Sequence, residues 1–365
     1  MKKNVIIFMP SIEDGGVEKN LYEVSNYLVK NNISLEIITC SMNMSFKFSK
    51  DIKFIGTKNS YWNNRSRYIK YIICLLILFL TLIKRKEKTL VFAFQANIYA
   101  VILAKILNVK IITRSNSAPP GWSQNAIKNF IYKFFIKFAN DVMVNSFEFK
   151  KIFEKKFNIK VKCIYNPFNK NFVLKKIKIK KKITFFKKGY LNIISVGRLT
   201  DQKDHLTLLR SIKELDSNFK VKVIIIGKGS TKDILKRYII KNNLQNKIKL
   251  FGYTNNPFPF IQKANMVVLT SKFEGLPNIL LEAQFLRKYI ISTNCPTGPK
   301  EILLNSKAGD LINIGDFKKL SHLIKNYSNN KNSIIKKINT GYKKFYRFDY
   351  MLNCKKYLNF IKNNY

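Results

Sequence analysis

Short apolar segments alternate with longer segments of helical pattern along the whole chain, and this alternation constrains the fold more than any other feature. Parallel strands joined by covering helices produce such a pattern, because each strand is buried on both faces and each helix on one. In the first half the strand candidates are residues 4–9, 34–39, 89–94, 109–114, 141–146 and 161–166, with helical segments near 18–31, 66–84, 97–107, 125–138 and 146–157. The pattern predicts an α/β fold with a doubly wound parallel sheet.

A second series of the same kind begins at LNIISVG (191–197), with further strand candidates at 221–227, 247–252, 266–271, 289–294 and 310–313. The 365 residues exceed one comfortable core, so two domains are expected. Residues 172–188 are mostly lysine with no clean period. We predict an N-terminal domain over 1–171, a basic linker over 172–189, a second domain over 190–340, and a C-terminal helix over 341–365 that crosses back to the first domain. Ligands bind outside the carboxyl ends of parallel strands, which predicts a site in a cleft between the two domains.

The chain is strongly basic, with 67 Lys and Arg residues against 21 Asp and Glu residues and a formal net charge of +46. This charge favours acidic partners in general. However, lysine dominates together with asparagine and isoleucine, as in any AT-rich coding sequence. Zinc-ligand spacing, RNP-like aromatic motifs and arginine-rich stripes are absent from the sequence. On charge alone an anionic membrane surface is as good a candidate partner as nucleic acid. Because the recognition motifs are missing, no nucleic acid is expected.

Two segments favour contact with a membrane surface. The run YIICLLILFLTLI (71–83) is flanked by basic residues. As a helix it would rise about 20 Å, short of a bilayer core of roughly 30 Å. The segment 125–140 places Lys128, Lys133 and Lys137 at helical spacing beside aromatic residues, as interfacial helices do. The alternative is that both helices simply cover the first sheet.

The cellular location is predicted from the N-terminus and the cysteines. The apolar run at 5–10 is too short for a secretory signal. The five cysteines are scattered without a C-x-x-C pair, which suits reduced, buried thiols. The sequence thus predicts a cytoplasmic protein, peripherally associated with the inner face of the cell membrane.

Two glutamates, Glu274 and Glu282, stand eight positions apart around a Gly-Leu-Pro-Asn turn. The apolar run VVLTS (267–271) precedes the turn and an amphipathic run follows it. We expect a strand that ends in this turn, with a helix that starts at the proline. This arrangement places backbone N–H groups and Glu274 at the sheet edge. Glu282 then lies about two helical turns further along. One carboxylate for sugar hydroxyls and one for a ribose suit a nucleotide-sugar pocket. The alternative is an ordinary β-loop-α unit with two surface glutamates.

Arg198 and Lys203 flank the loop that follows the strand candidate ISVG. Two cations five positions apart at a strand end could bind a diphosphate and stabilise its charge as it leaves. Solvated surface cations are the alternative. Arginine is scarce in this chain, which makes Arg198 stand out.

Glycines follow several strand candidates and allow close approach of the backbone to a ligand. Gly15 and Gly16 stand at the start of the first long helical segment, although a Gly-Gly turn there is common. Gly227 ends the strand candidate VKVIIIG (221–227). The third glycine and the distal acid of a dinucleotide fingerprint are missing.

In combination, GGVE (15–18), GRLTDQKDH (197–205), FEGLPNILLE (273–282) and TGPKEIL (297–303) resemble the GT-B-fold glycosyltransferases of family 4. The resemblance runs from about residue 4 to residue 305 in the expected order. It implies two facing Rossmann-like domains and a retaining, metal-independent E-x7-E enzyme without a cofactor. The segment TNCPTGPKEIL (293–303) is similar to that of family members that add N-acetylhexosamine or hexose to lipid-linked oligosaccharides and surface glycans.

The resemblance also implies roles for individual residues. Arg198 and Lys203 would bind the donor diphosphate and Glu274 the donor-sugar hydroxyls, so these three are the candidate catalytic residues. The other implied donor contacts are Gly15, Gly16, Gly227, the backbone amides of Gly275, Leu276 and Asn278, and Glu282 at the ribose. Related enzymes often have a histidine after the strand equivalent to 110–115. This chain has Arg114 and Asn116 there, which are candidates for contact with the reacting sugar or acceptor.

The sequence therefore predicts a retaining glycosyltransferase that moves a hexosyl or N-acetylhexosaminyl group from a nucleotide-diphosphate sugar, UDP-linked by expectation. Its acceptor would be a lipid-linked glycan in surface polysaccharide or lipopolysaccharide assembly. A UDP-sugar 2-epimerase on the same fold and a basic nucleic-acid-binding protein remain the alternatives. A change in the UDP-sugar without an acceptor would favour the first, and steeply salt-dependent nucleic-acid binding the second.

Overall fold

We describe the protein from a computed structural model, over residues 3–12, 15–57, 61–62, 65–85, 87–95, 97–116, 125–179 and 181–365, the side chain of Asn43 excepted. The chain forms two compact units. The first comprises Met1–Pro167 with Asp349–Tyr365, and the second comprises Phe168–Phe348. The last helix, which the sequence predicts to return to the N-terminal domain, thus belongs to the first unit. The segment predicted as a linker, 172–189, is part of the second.

The first unit contains a parallel sheet of seven strands among the described residues, in the order β3-β2-β1-β4-β5-β6-β7. The chain steps outward from β1 in one direction and then, after β3, in the other, which makes the gap between β1 and β4 the topological switch point. The strands are β1 (Lys3–Phe8), β2 (Ile33–Ile38), β3 (Lys53–Ile55), β4 (Thr89–Ala93), β5 (Lys110–Arg114), β6 (Asp141–Val144) and β7 (Lys162–Cys163).

Helices cover both faces of this sheet. The helices are α1 (Gly16–Lys30), α2 (Arg67–Ile83), α3 (Asn97–Ile106), α4 (Ala126–Phe135), α5 (Phe147–Phe157) and α14 (Tyr350–Asn364). Leu21 and Val24 of α1 and Tyr357 of α14 share one core with the sheet. On the opposite face Cys74 and Leu78 of α2 pack with residues of α3. Side-chain caps fix several starts, since Ser66, Asn125, Ser146 and Asp349 each accept from a first-turn amide.

The second unit contains a six-stranded parallel sheet in the order β10-β9-β8-β11-β12-β13. Its switch point lies between β8 and β11, because the chain moves from β8 towards β10 and then from β11 towards β13. The strands are β8 (Leu191–Val196), β9 (Val221–Ile226), β10 (Ile248–Gly252), β11 (Met266–Leu269), β12 (Tyr289–Thr293) and β13 (Asp310–Ile312).

The helices of the second unit bury their apolar faces on this sheet, around a core that includes Leu208, Leu235 and Leu320. The helices are α6 (Lys170–Ile177), α7 (His205–Lys213), α8 (Lys232–Lys241), α9 (Phe258–Lys263), α10 (Asn278–Phe285), α11 (Pro299–Ile302), α12 (Phe317–Lys325) and α13 (Lys331–Lys343).

The predicted α/β class with two doubly wound parallel sheets is confirmed. Strand β3 and helix α6 are among the elements that the sequence does not predict. Strand β3 has only three residues, too few for a periodic signal. Helix α6 overlaps the start of the lysine-rich segment, and Val173 is its only buried residue, so its apolar periodicity is weak. No helix among the described residues is long and apolar enough to span a membrane. The five cysteines are free, and all but the half-buried Cys163 are buried.

Candidate functional site

The candidate site lies in the second unit, where three loops leave the carboxyl ends of neighbouring strands. Residues 197–204 follow β8, residues 270–277 follow β11, and residues 294–298 follow β12. The first two loops flank the switch point, where ligands of open α/β sheets bind. The fold therefore places the Arg198 loop and the Glu274 turn side by side, although they are separated by about seventy positions in sequence.

Lys203 and Glu274 form the centre of this site. Lys203 Nζ lies 2.5 Å from Glu274 Oε1, and the two side chains are only 14% and 8% exposed. The hydroxyl of Ser271 donates to the same carboxylate oxygen over 2.6 Å. Within the described residues no hydrogen bond engages Oε2 of Glu274. One oxygen is thus held by the protein, and the other can accept hydrogen bonds from a ligand.

The loop that carries Arg198 is fixed to the Glu274 turn through Gln202. The backbone N–H of Lys272 donates to the carbonyl of Gln202 over 2.8 Å, and the Gln202 side-chain amide donates to the carbonyl of Phe273 over 2.9 Å. Arg198 itself is exposed, and its guanidinium lies 3.4 Å from the Gln202 Oε1. Arg198 therefore presents donors to solvent from an anchored loop.

Gly227 has a packing role behind the Arg198 loop. A Cβ at Gly227 would lie 1.8 Å from the carbonyl oxygen of Gly197, and one at Gly229 would lie 2.2 Å from that of Leu199. The N–H of Leu199 also donates to the carbonyl of Lys228 over 2.9 Å. These glycines let the loop after β9 lie directly against the Arg198 loop.

The third loop closes on the Glu274 turn from the side of β12. The Thr297 hydroxyl donates to the carbonyl of Glu274 over 2.5 Å. Gly298 has a φ of +79°, and a Cβ there would lie 2.1 Å from the Gly275 carbonyl oxygen. Only glycine fits this contact without movement of the backbone. The TGPKEIL segment thus positions the carboxylate turn.

Helix α10 begins directly after this turn. Its N-cap position is Pro277, and Asn278 is the first helical residue. The amide of Leu280 in the first turn donates to the carbonyl of Pro277 over 3.1 Å, and the positive end of the helix dipole lies at this turn. Gly275 and Leu276 are buried immediately before it. Glu282 lies on α10 and, like Glu274, is 7% exposed. Two largely buried carboxylates therefore belong to one turn-helix unit beside a helix N-terminus.

Burial and the charges of the site shift the pKa values of two neighbouring groups. Burial, with a contribution from the Lys203 ammonium, lowers the pKa of His205 to about 4, so that the ring is neutral at pH 7. Its Nδ1 lies 3.3 Å from the Ser195 hydroxyl. Burial and the negative charge of Glu274 raise the pKa of Cys295 to about 12. Neither group is suited to proton transfer at neutral pH.

The candidate residues of the first unit occupy its own sheet edge. Gly15 and Gly16 are exposed at the N-terminus of the 15-residue helix α1, after strand β1 at the switch point. Glu18 lies in the first turn and is 7% exposed. The positive dipole end of such a helix favours an anionic ligand.

Arg114 and Asn116 follow β5 in the first unit. Arg114 is 1% exposed, donates to Asn166 Oδ1 over 2.8 Å and stacks 5.3 Å from the ring centroid of Phe94. The guanidinium also lowers the otherwise burial-raised pKa of Tyr357 in α14. Asn116 donates to the carbonyl of Phe94 over 2.9 Å. Both side chains are thus engaged within the unit, and their contact with a sugar stays a prediction.

The structure brings Arg198, Lys203, Gly227, Gly275 and Glu274 together at one sheet edge, with Leu276, Asn278 and Glu282 on the adjoining turn and helix. Gly15, Gly16, Arg114 and Asn116 lie in the other unit. Sequence reasoning missed the supports Ser271, Thr297 and Gln202. All three stand inside segments that the sequence analysis quotes, but nothing in a single sequence shows which side chain bonds to which partner. The described residues contain no cluster of three or more His, Cys, Asp or Glu side chains, and metal independence stays a prediction.

Part of the second unit matches a known protein family. Residues 176–344 match the family model "Glycosyl transferases group 1". An uncharacterized glycosyltransferase of Methanocaldococcus jannaschii is 39% identical over 178 residues, which cover 47% of this chain and 44% of that protein. A Campylobacter jejuni enzyme is 25% identical over 84% of this chain and 85% of its own length. Its name is N-acetylgalactosamine-N,N'-diacetylbacillosaminyl-diphospho-undecaprenol 4-alpha-N-acetylgalactosaminyltransferase.

Solved structures share the fold of the whole chain. Anabaena HepE in complex with UDP superposes with a TM-score of 0.79 at 16% identity, over 99% of this chain and 100% of that one. Sucrose-phosphate synthase from Thermosynechococcus elongatus gives a TM-score of 0.82 at 11% identity, over 99% of both chains. The two parallel-sheet, Rossmann-like units match the GT-B architecture of glycosyltransferases. The comparisons thus show the GT-B fold for the chain and a glycosyltransferase group 1 match over residues 176–344, which together support a transferase enzyme.

Proposed function

We propose that the protein is a retaining glycosyltransferase of family 4 that transfers a sugar from a UDP-linked donor to a lipid-linked glycan acceptor, without a metal. The observation that carries the proposal is the largely buried Lys203–Glu274 pair at the switch point of the second sheet. The pair joins a cation suited to a diphosphate with a carboxylate suited to sugar hydroxyls. Arg198, exposed on the same loop as Lys203, adds a second cation.

In the proposed reaction the two cations hold the donor diphosphate and stabilise the charge that develops as it leaves. Glu274 accepts hydrogen bonds from the donor-sugar hydroxyls through Oε2, while Lys203 and Ser271 hold Oε1. Glu282 accepts from the ribose hydroxyls, and the amides at the start of α10 support sugar and phosphate.

Retention follows from attack on the face that the diphosphate leaves. The bond between the acceptor oxygen and the anomeric carbon forms as the bond from that carbon to the phosphate oxygen breaks. The acceptor proton passes to the leaving phosphate. Such a path needs no strong enzyme base, which fits the site, since His205 and Cys295 have pKa values shifted away from neutrality.

The acceptor class is inferred from the relatives. The Campylobacter jejuni relative is named for a diphospho-undecaprenol acceptor, and a lipopolysaccharide 1,6-galactosyltransferase of Escherichia coli is 31% identical over 37% of this chain and 38% of its own length. We propose that the protein acts at the inner face of the cell membrane, as a peripheral enzyme of surface-glycan assembly, and this likeness supports the proposal. The complexes of HepE with UDP and UDP-glucose support UDP as the donor nucleotide.

The test is transfer from a panel of UDP-sugars to polyprenyl-diphosphate glycans, followed by mass spectrometry of the lipid and NMR of the new linkage. Glu274→Gln removes the charge but keeps the shape, and Arg198→Ala removes one phosphate cation. Hydrogen bonds to charged groups are worth about 1.5–3 kcal/mol, so each variant should lose about 10- to 100-fold in kcat/KM. Lys272→Ala is the matched control, because its exposed ion pair with Asp201 lies on the same two loops.

Three outcomes would contradict the proposal. Glu274→Gln and Arg198→Ala could both keep the wild-type kcat/KM for the donor, which would remove the site assignment. A product with inverted anomeric configuration would remove the retaining mechanism. Conversion of the UDP-sugar itself, without any addition to the lipid, would identify an epimerase.

A further inference from the structure

Helix α2 of the first unit is apolar on the side that faces solvent. Its inner face buries Cys74, Leu78 and Leu82 against the sheet. Its opposite face exposes a stripe of apolar side chains at helical spacing: Tyr68 at 67%, Ile72 at 61%, Leu76 at 58%, Leu80 at 54% and Ile83 at 57%. Surface helices of soluble proteins normally carry polar residues on that face. A helix that is apolar all round needs a second apolar environment.

Helix α4 and the turn that follows it present a similar surface. The structure buries no residue of α4. Ile127, Phe130, Phe134 and Phe138 are exposed by 69%, 71%, 53% and 40%, again at spacings of three to four residues. Such large exposed aromatic side chains in one stripe mark an interaction surface.

Helix α3 joins the two stripes into one surface. The ring of Tyr71 on α2 lies 6.3 Å from that of Tyr99 on α3. At the other end, the ammonium of Lys105 on α3 lies 5.7 Å from the ring of Phe138, just beyond α4. Ile106 of α3 is itself 72% exposed. We call the exposed side of α2, α3 and α4 the apolar face of the first unit.

The charge around this face has one sign. Glu87 is the only acidic residue of the sequence between Asp51 and Asp141, and it lies outside the three helices. Arg67 and Lys84 stand at the two ends of α2, and Lys128, Lys133 and Lys137 accompany the aromatic stripe; all are exposed. An apolar surface bordered by cations is complementary to anionic headgroups above an acyl layer.

We propose that the apolar face docks the enzyme on an anionic lipid bilayer, with α2 and α4 lying in the interface. This inference deepens the proposed function, on which it rests, by naming the surface that would bring the site to a lipid-linked acceptor. Helix α2 has 17 residues, fewer than the roughly 20 that cross a bilayer core, so the proposal places it along the membrane surface and not across the membrane. A second copy of the chain would bring the same uncompensated cations together, and charge repulsion opposes that occupant.

The experiment is sedimentation of the full chain with sucrose-loaded phosphatidylcholine vesicles, with or without 30% phosphatidylglycerol. The apolar variant is Leu76→Ser/Phe130→Ser. Its control is Phe46→Ser/Ile335→Ser, which replaces two exposed apolar residues outside the apolar face. Phe46 is 76% and Ile335 55% exposed, and in the test pair Leu76 is 58% and Phe130 71% exposed. Because buried apolar side chains contribute about 1.5–3 kcal/mol when fully inserted, we expect at least a tenfold weaker partition constant for the apolar variant alone.

The basic variant replaces the three lysines of the aromatic stripe, Lys128, Lys133 and Lys137, by glutamine. Each lysine near an anionic surface is worth about 1 kcal/mol, so binding should fall on the order of a hundredfold at low salt. The control replaces three exposed lysines of α8 in the second unit, Lys232, Lys236 and Lys241. Urea unfolding midpoints report whether each variant is folded.

Selective loss of binding in the apolar and basic variants, and dependence on phosphatidylglycerol, support the proposal. Equal binding by all variants overturns it, as does wild-type protein that ignores vesicles and sediments as a dimer through Leu76 and Phe130. Vesicle binding requires no sugar donor. A failed transferase assay with intact docking, or the reverse, therefore shows which of the two proposals is wrong.

Discussion

Replacement of Gly298 by alanine tests how the site is held together. Gly298 has a φ of +79°, and a Cβ there would lie 2.1 Å from the Gly275 carbonyl oxygen and 2.8 Å from Cδ of Pro277. Gly189 in the same unit has the same φ of +79°, but a Cβ there would meet nothing within 4 Å. The two glycines therefore share the backbone requirement and differ in the contact with the Glu274 turn.

The expected cost follows from these two terms. A left-handed φ costs an L-residue about 1–2 kcal/mol, partly offset by about 0.4–1 kcal/mol from the reduced freedom of the unfolded chain. Gly189→Ala should therefore lower the free energy of unfolding by about 1 kcal/mol. Overpacking against backbone adds about 1–3 kcal/mol, so Gly298→Ala should cost about 2–4 kcal/mol.

Urea unfolding of the full chain, with an unchanged m-value, gives both free energies. The donor KM and kcat of each variant are measured in parallel. Because displacement of the Gly275 carbonyl moves the turn that carries Glu274, kcat/KM should fall in Gly298→Ala and stay at the wild-type value in Gly189→Ala. Equal stability losses and equal kinetics for the two variants would refute the claim that the loop after β12 positions the carboxylate.

Three further predictions concern charges of the site. Lys203→Met leaves Glu274 buried without its cation and should lower the free energy of unfolding by about 3 kcal/mol. The double variant Lys203→Met/Glu274→Gln should recover part of this loss. Additive losses in urea unfolding would count against an energetic coupling between Lys203 and Glu274. Lys272→Ala, which breaks an ion pair with 40% and 87% exposed side chains, should cost less than about 1 kcal/mol in the same assay. His205 has a folded-state pKa of about 4, against an ordinary value of 6.5. The unfolded chain therefore binds more protons between these two pH values, and the free energy of unfolding falls as the pH falls through this window. The expected loss is about 2 kcal/mol at pH 5. His205→Asn should lose correspondingly less between pH 7 and pH 5, and an identical pH dependence in both proteins would exclude this source.

Much of the architecture could be predicted from the sequence, because buried parallel strands are continuous apolar runs. The segments 191–197 and 221–227 correspond to β8 and β9 almost residue for residue. Strand β3 and helix α6 escaped prediction for physical reasons. The former contributes three residues at a sheet edge, and the latter buries little besides Val173.

The residues of the site could be selected from the sequence, but their supports could not. Glu274 and Lys203 stand in recognisable segments, yet their ion pair arises from the adjacency of β8 and β11, which only the strand order shows. Thr297 donates to a carbonyl 23 positions away, and such a contact has no signature in one sequence. Arg114 shows the converse, since a cation at a strand end proved to be 1% exposed and paired with Asn166.

The central claim is that a nucleotide sugar binds at the carboxyl edge of the second sheet. A crystal structure of the full chain with a non-hydrolysable UDP-hexose tests it most directly. We predict the diphosphate within hydrogen-bond distance of Arg198 and Lys203, a sugar hydroxyl on Glu274 Oε2, and the ribose on Glu282. A ligand bound away from this edge, or one that touches neither glutamate, would contradict the account.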